Sequence, residues 1–157
     1  MHLENKKMEL RLINIKTIKK SFSGDDYGSL SFFESLSDIP FDFKRIYYIT
    51  GVKAGMVRGF HAHKELKQFI FCPFGKIEMF LKDGDGEKSI ILDKPNVGIL
   101  IDHPVWREMK WLVDNSVLCV IASDYYKEED YIRDYAEFKM FIQESSNGGK
   151  QLWKVSF

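Results

Sequence analysis

Two histidines separated by one residue, His61 and His63, are the side chains whose type and spacing best suit chemistry. Residues two apart on a β-strand project to the same face, so both imidazoles would point to one side of a sheet. Histidine titrates near neutral pH and both accepts and donates protons, so such a pair suits acid–base catalysis or metal binding. The alternative is two incidental strand histidines, but the chain has only four histidines in 157 residues.

The residues around the pair resemble the first sequence motif of the cupins. The motif spacing is met at four positions, Gly55, His61, His63 and Gly75. The glutamate position of the motif holds Gln68, and in residues 104–109, which resemble the second motif, the histidine position holds Arg107. A neutral amide is a poor ligand for a divalent ion, and a guanidinium is a permanent cation. We therefore expect no catalytic metal and no other cofactor.

The elements that must position these residues are predicted to be short strands. Nine apolar runs separated by turn residues lie between residues 10 and 122. Residues 104–109, which follow the run Gly98–Ile101, are predicted to form a turn that contains Pro104. The clearest run, Lys76–Lys82, alternates apolar and polar residues and precedes a Gly-rich hairpin signal. One amphipathic helix is predicted between Glu128 and Gln143. The pattern predicts an all-β fold, a sandwich or barrel, with one C-terminal helix.

Composition limits the class of protein further. We expect one domain over residues 10–143, an N-terminal extension over 1–9 and a flexible tail over 144–157. Lys plus Arg and Asp plus Glu are 23 each, so nothing favours a nucleic-acid partner. The two cysteines lie in apolar runs, and neither a signal peptide nor a membrane span is visible, so a cytoplasmic setting is expected.

Several blocks in order carry a more specific resemblance: residues 45–49, 58–64, 105–109 and 122–133. Together they resemble the dTDP-sugar 3,4-ketoisomerases, the FdtA/QdtA-like group of the cupin superfamily, over about residues 10 to 142. The resemblance implies an RmlC-like jelly roll and metal-free conversion of dTDP-4-keto-6-deoxy-D-glucose into its 3-keto isomer. It also implies a homodimer with exchanged strands, and an aminotransferase that carries the product toward 3-amino-3,6-dideoxy sugars of surface polysaccharides, such as O-antigen lipopolysaccharide or S-layer glycan.

The resemblance also assigns roles to residues. His61 and His63 would carry the proton transfers through an enediol, with His63 favoured as the base at C3. Tyr48 matches an active-site tyrosine of the family and would bind the developing oxyanion; alternatively it is a core aromatic residue. Arg58 would hold the diphosphate, unless it is a solvated loop arginine. Trp106 would contact thymine or sugar, or belong to the barrel core, and Gln68 would line the substrate site.

Two further positions bear on the configuration at C4. Members of the family that retain the gluco configuration resemble this chain in having a tyrosine at Tyr27 and an arginine at Arg107, whereas galacto-forming members have arginine and histidine there. In the gluco product the C3 and C4 hydrogens lie on opposite faces, so one fixed base cannot serve both carbons. We therefore expect a gluco product and a separate proton source on the far face, which is Tyr27, Tyr48 or a water. Alternatively, Tyr27 is a simple aromatic residue of a turn. The alternatives are a dTDP-sugar 3,5-epimerase and a non-catalytic cupin that binds a sugar nucleotide.

Overall fold

Most of the chain is folded into short antiparallel strands. The computed structural model describes residues 8–22 and 25–147, and the side chains of residues 19–27 lie outside the described part. The strands are β1 (Arg11–Asn14), β2 (Lys16–Phe22), β3 (Asp25–Phe32), β4 (Arg45–Ile49), β5 (Val57–His63), β6 (Gln68–Phe74), β7 (Ile77–Lys82), β8 (Glu87–Leu92), β9 (Val97–Ile101), β10 (Trp106–Trp111), β11 (Val117–Ala122) and β12 (Tyr131–Ile132). A 3₁₀ turn (Glu128–Asp130) precedes β12, and helix α1 (Tyr135–Asn147) follows it.

Two five-stranded sheets build the barrel. Their strand orders are β1-β9-β6-β11-β4 and β12-β5-β10-β7-β8. Apolar residues of both sheets face each other and form the main core, including Ile70, Ile99, Met79, Trp111 and Leu118. This confirms the expected all-β jelly roll of antiparallel sheets with one C-terminal helix.

The histidine strand β5 lies between β12 and β10, and its pairing with β10 is irregular. Arg107 is opposite His61 and Glu108 is opposite Gly59, with a register shift between the two pairs. Gly59 has a φ of 102°, and a Cβ there would lie 2.7 Å from the Arg107 carbonyl oxygen. Glycine therefore permits both the backbone conformation and the close approach of the two strands at this point.

Strand β10 corrects one sequence prediction. Residues 104–109 were expected to form a turn because they contain Pro104, but the strand begins at Trp106 and runs to Trp111. Proline lacks an N–H donor and is tolerated just before a strand begins. The turn is therefore confined to the residues before Trp106.

The C-terminal helix begins later in the chain than the sequence predicted. Residues 128–132 form a 3₁₀ turn and then β12, which pairs with the edge of β5. The helix begins after Asp134, whose Oδ1 accepts the N–H of Glu137 at 2.9 Å, the bond expected of an N-cap. It continues to Asn147, so residues 144–147 of the expected flexible tail are helical, and residues 148–157 lie outside the described part.

Strands β2 and β3 form a hairpin that is a separate two-stranded sheet. The hairpin was only half predicted, because β2 was not recognised as a strand. Tyr27 belongs to β3, but its side chain lies outside the described residues. Within the described residues, no helix is long and apolar enough to cross a membrane.

Candidate active site

A cavity of about 240 Å³ opens between the two sheets. Strands β4, β5, β6, β10 and β11 supply most of its wall, and the segment after residue 130 closes one side. Its lining residues are Tyr47, Ile49, Arg58, Gly59, His61, Gln68, Ile70, Arg107, Met109, Leu118, Val120, Tyr131 and Arg133. The polar members of this wall define the candidate site.

His61 forms part of the cavity wall. Its Nδ1 lies 3.0 Å from the carbonyl oxygen of Gly59, which only accepts hydrogen bonds, so Nδ1 carries the proton and donates it there. The other ring nitrogen, Nε2, then has a free lone pair. Burial, followed by the charge of Arg107, lowers the pKa of His61 to about 4. The ring is thus a neutral proton acceptor at pH 7.

His63 projects from the same face of β5 and is buried, with 2% of its surface exposed. Its ring is 5.1 Å from that of His61 and 4.3 Å from that of Tyr131. Its Nδ1 lies 2.9 Å from Oδ2 of Asp130. Burial, Arg107 and His61 lower the pKa of His63 to about 2 in spite of this carboxylate, so we take the ring to be neutral with its proton on Nδ1.

Arg107, Gln68 and Tyr47 form a hydrogen-bonded chain across the cavity. Nη1 of Arg107 donates to Oε1 of Gln68, and Nε2 of Gln68 donates to the Tyr47 hydroxyl oxygen at 2.9 Å. Because that oxygen accepts from Gln68, the Tyr47 O–H remains able to donate to a ligand. Burial raises the pKa of Tyr47, which keeps this proton in place at neutral pH.

Arg107 is a buried cation with neutral hydrogen-bond acceptors. Its side chain also donates twice to the carbonyl oxygen of Val105, and 2% of the residue is exposed. Burial lowers its pKa to about 10, which leaves the guanidinium charged at pH 7. No carboxylate of the described residues forms an ion pair with it. A buried charge in this position is costly, and such an arrangement is typical of sites that bind or form an anion.

More positive charge lies along the cavity wall. Arg58 is exposed and lines the cavity, as does Arg133, whose guanidinium stacks 4.2 Å from the ring of Tyr131. Glu128 holds Arg133 by two hydrogen bonds of 2.7 and 2.9 Å. A pair of arginines at one cavity suits a polyanionic group such as a diphosphate.

Two residues predicted for the site lie elsewhere. Tyr48 is 70% exposed and is not part of the cavity wall, whereas its neighbour Tyr47 is. Adjacent residues of a strand face opposite sides, so Tyr47 faces the cavity and Tyr48 faces away from it. Trp106 is buried against Tyr135 and Phe138 of α1, at ring distances of 5.2 and 6.0 Å, and therefore belongs to the core beneath the helix.

The structure brings together His61, His63, Gln68, Arg107 and Arg58, as the sequence led us to expect. It adds Tyr47, Asp130, Tyr131 and Arg133, which were not predicted from the sequence. Three of these four are in the block 130–133, which was assigned to a helix. A short apolar pair, Tyr131–Ile132, flanked by charged residues gives little periodic signal by which an edge strand can be recognised.

The residues at the metal positions of the cupin motifs do not suit a metal. Gln68 bonds to both Arg107 and Tyr47, and Arg107 brings a positive charge beside the histidine pair. Among the described residues, no group of three or more His, Cys, Asp or Glu side chains is arranged to hold a metal ion.

Comparison with known proteins gives a consistent set of relatives. The family model described as "FdtA: WxcM-like, C-terminal" matches residues 8–143. A curated relative, the TDP-4-oxo-6-deoxy-alpha-D-glucose-3,4-oxoisomerase of Aneurinibacillus thermoaerophilus, is 44% identical over 135 residues, which is 86% of this chain and 94% of that protein.

Solved structures agree with this. The sugar 3,4-ketoisomerase QdtA of Thermoanaerobacterium thermosaccharolyticum, in complex with TDP, is 43% identical with a TM-score of 0.78, over 91% of this chain and 98% of that chain. A histidine-to-asparagine variant of QdtA is in complex with TDP-4-keto-6-deoxyglucose (42% identity, TM-score 0.78, 91% and 97% covered). A double variant of QdtA, tyrosine to arginine and arginine to histidine, is in complex with TDP. It is 41% identical with a TM-score of 0.76, over 96% of this chain and 100% of that chain.

Proposed function

Because this chain belongs to the FdtA family of WxcM-like, C-terminal sequences, we propose that it is a sugar 3,4-ketoisomerase that converts TDP-4-keto-6-deoxy-D-glucose into the 3-keto isomer. Relatives that cover almost its whole length have this activity or bind this sugar nucleotide. The observation that carries the proposal is the placement of His61, whose Nδ1 bonds to the Gly59 carbonyl, in a cavity that the buried guanidinium of Arg107 also lines.

The chemistry is an exchange of hydrogen between adjacent carbons. The C4 ketone acidifies the C3 hydrogen, so a base can remove that proton to form an enediolate, and protonation of O4 gives the enediol. The enediol then loses its O3 proton while a proton is added to C4, which leaves a ketone at C3 and a hydroxyl at C4. The carbonyl has then moved from C4 to C3 with no net change in protons or electrons. Each step needs a proton acceptor or donor and a group that stabilises negative charge on oxygen.

His61 is the better candidate for the base at C3, in place of His63, which the sequence argument favoured. His61 lines the cavity, whereas His63 is buried against Asp130 and Tyr131. In QdtA the exchanged histidine follows the exchanged tyrosine by 34 residues and the exchanged arginine follows it by 80. Here His61 and Arg107 follow Tyr27 by the same separations, which supports His61 as the counterpart of the exchanged histidine. We assign His63 the role of the second proton carrier.

Arg107 and Tyr47 stabilise the negative charge that develops on the sugar oxygens. The buried guanidinium of Arg107 is charged before the reaction begins. The Tyr47 hydroxyl oxygen accepts a hydrogen bond from Gln68, so its O–H is free to donate to the sugar. Preorganised donors of this kind lower the energy of an enediolate more than that of the neutral ketone. Burial, followed by the charge of this guanidinium, lowers the pKa of His61, so Arg107 helps to keep the base neutral and also stabilises the anion.

Arg58 and Arg133 are the proposed contacts for the diphosphate of the substrate, since both line the cavity and both are positively charged. The retained Tyr27 and Arg107 support a product with the gluco configuration at C4. A reaction without metal is supported by the guanidinium of Arg107 at a ligand position of the cupin motif.

The hairpin of β2 and β3 supports a homodimer with exchanged strands. Among the described residues it pairs with neither five-stranded sheet, and it exposes Ile18 and Leu30. Burial of that hairpin against a second copy would cover these side chains. A 3-keto sugar is also a chemically suitable substrate for an aminotransferase, which would place the enzyme before an amination step in a cytoplasmic pathway to 3-amino sugars.

The test is incubation of the purified protein with TDP-4-keto-6-deoxy-D-glucose, followed by NMR of the sugar. We expect the carbonyl carbon at C3 and a hydrogen at C4. An unchanged substrate, with TDP binding intact, would identify a non-catalytic binding protein and refute the proposal.

A further inference from the structure

Asp130 comes from a segment far along the chain and reaches the histidine pair because β12 lies beside β5. Tyr131 is the register partner of His63. The backbone of Asp130 is fixed on both sides, because its carbonyl accepts the N–H of Lys64 at 2.9 Å and its own N–H donates to Lys127 at 3.2 Å. The position of the Asp130 carboxylate beside His63 is therefore fixed by backbone hydrogen bonds on both sides.

Both oxygens of the Asp130 carboxylate have a partner. Oδ2 lies 2.9 Å from Nδ1 of His63, and Oδ1 accepts the backbone N–H of Glu65 at 2.9 Å. The side chain of His63 is 1% exposed and that of Asp130 is 16% exposed. With one oxygen held by Glu65, the other is directed at a buried imidazole.

This contact selects one form of the His63 ring. An ionised carboxylate only accepts hydrogen bonds, so Nδ1 of a neutral ring must carry the proton and Nε2 must carry the lone pair. Nε2 of His63 is buried, and within the described part of the chain no protein group bonds to it. The ring of His61 is 5.1 Å away.

We propose that Asp130 is a positioning residue for the isomerisation: its carboxylate holds His63 in the Nδ1–H tautomer and reserves Nε2 as a proton acceptor beside His61. The inference rests on the proposed function and deepens it. Asp130 is not among the residues that line the cavity between the two sheets, so it acts through the imidazole that it orients.

A purely structural role is the competing explanation, since Asp130 also bonds the backbone of Glu65. Asp130→Asn separates the two roles. The asparagine side-chain oxygen still accepts the Glu65 N–H, whereas its NH₂ group can donate to Nδ1 of His63 and favour the Nε2–H tautomer. Folding should be preserved while the imidazole loses its acceptor at Nε2.

The experiment combines kinetics with ¹⁵N NMR of the histidine rings. In Asp130→Asn we expect kcat to fall about 100-fold with KM changed less than about threefold. The ¹⁵N chemical shifts of the His63 ring should change from those of the Nδ1–H tautomer to those of the Nε2–H tautomer. The matched control is Asp124→Asn, on the same loop, where the aspartate bonds Lys127 and the backbone of Tyr125. It should change neither the tautomer nor kcat.

Three results would overturn the proposal: an unchanged tautomer in Asp130→Asn whatever the activity, an unchanged kcat despite a changed tautomer, or a wild-type ring protonated on Nε2. A wild-type protein that turned over no keto sugar would instead refute the proposed function. The wild-type and variant spectra would still decide, without any activity, whether Asp130 sets the tautomer of His63.

Discussion

The rings of His61 and His63 lie 5.1 Å apart and at 88° to each other, and they have different surroundings. His61 lines the cavity and bonds to the backbone of Gly59, whereas His63 is buried and bonds to Asp130. The two histidines that look equivalent in the sequence are therefore suited to different tasks, since His61 lines the cavity and His63 lies buried beside Asp130.

The first prediction separates His61 from a histidine outside the site. Replacing His61 with asparagine removes the base at C3, so we expect kcat to fall about 1000-fold while TDP binds as before. Stopped assays of the 3-keto sugar and calorimetric titration with TDP measure the two quantities. His103→Asn is the control and should retain kcat at pH 7. Retained activity in the His61 variant would exclude it as the base.

The second prediction uses adjacent tyrosines on β4. Tyr47→Phe removes an O–H donor in the cavity and should lower kcat about 100-fold. Tyr48→Phe removes an exposed hydroxyl and should leave kcat unchanged. Steady-state kinetics of both variants checks this, and the reverse order of effects would mean that the catalytic tyrosine is the one first expected from the sequence.

The third prediction concerns pH. The base must be neutral, and burial and Arg107 lower the pKa of His61 from 6.5 to about 4. Consequently kcat/KM should be constant from pH 8 to about 5 and should fall only as pH approaches 4. Arg107→Gln removes the neighbouring charge and should move that acidic limb to higher pH. A wild-type limb near pH 6.5 would contradict the assigned environment.

The fourth prediction concerns configuration at C4. Combining Tyr27→Arg with Arg107→His gives this chain the residues of the galacto-forming members, so we expect the galacto epimer of the 3-keto product. The H4–H5 coupling in the NMR spectrum distinguishes the two, being large for the gluco and small for the galacto configuration. An active double variant that still gives the gluco product would rule out these positions as the determinants.

The fifth prediction concerns stability. His103 lies 3.1 Å from Asp102 and 3.3 Å from Asp83, and these carboxylates raise its pKa from 6.5 to about 9. A raised folded-state pKa contributes stability that is complete below pH 6.5 and is lost as pH rises through 9. His103→Gln should therefore lower the free energy of unfolding at pH 6 by about 1 kcal/mol, given its partial exposure, and by less at pH 10.

Urea unfolding of the wild-type protein and His103→Gln at both pH values measures this difference. Equal destabilisation at pH 6 and pH 10 would show that packing of the His103 ring, and not its charge, stabilises the fold.

The parts of the site that the sequence predicted are those set by local periodicity and motif spacing. Alternation along β5 is enough to place His61 and His63 on one face, and the motif spacing identified Gln68 and Arg107 as their neighbours. Tyr47 was missed because two adjacent tyrosines fit a strand equally well in either register. The choice is made by the pairing of β4 with β11, which sequence pattern does not specify.

Long-range pairing explains the remaining differences. Asp130 is 67 positions from His63, and the two meet only because residues 131–132 add to the edge of β5. Acidic residues before an apolar repeat equally suit a helix start, so the helix was extended over them. For Trp106 the sequence allowed either a ligand contact or a place in the core, and strand β10 directs it beneath α1.

The most direct test of the central claim is the reaction of TDP-4-keto-6-deoxy-D-glucose with the protein in D₂O, followed by NMR. If His61 removes the C3 proton and a separate exchangeable donor protonates C4, the product is the 3-keto sugar with deuterium at C4 and none at C5. Deuterium at C3 and C5 with the ketone still at C4 would identify a 3,5-epimerase and contradict the account.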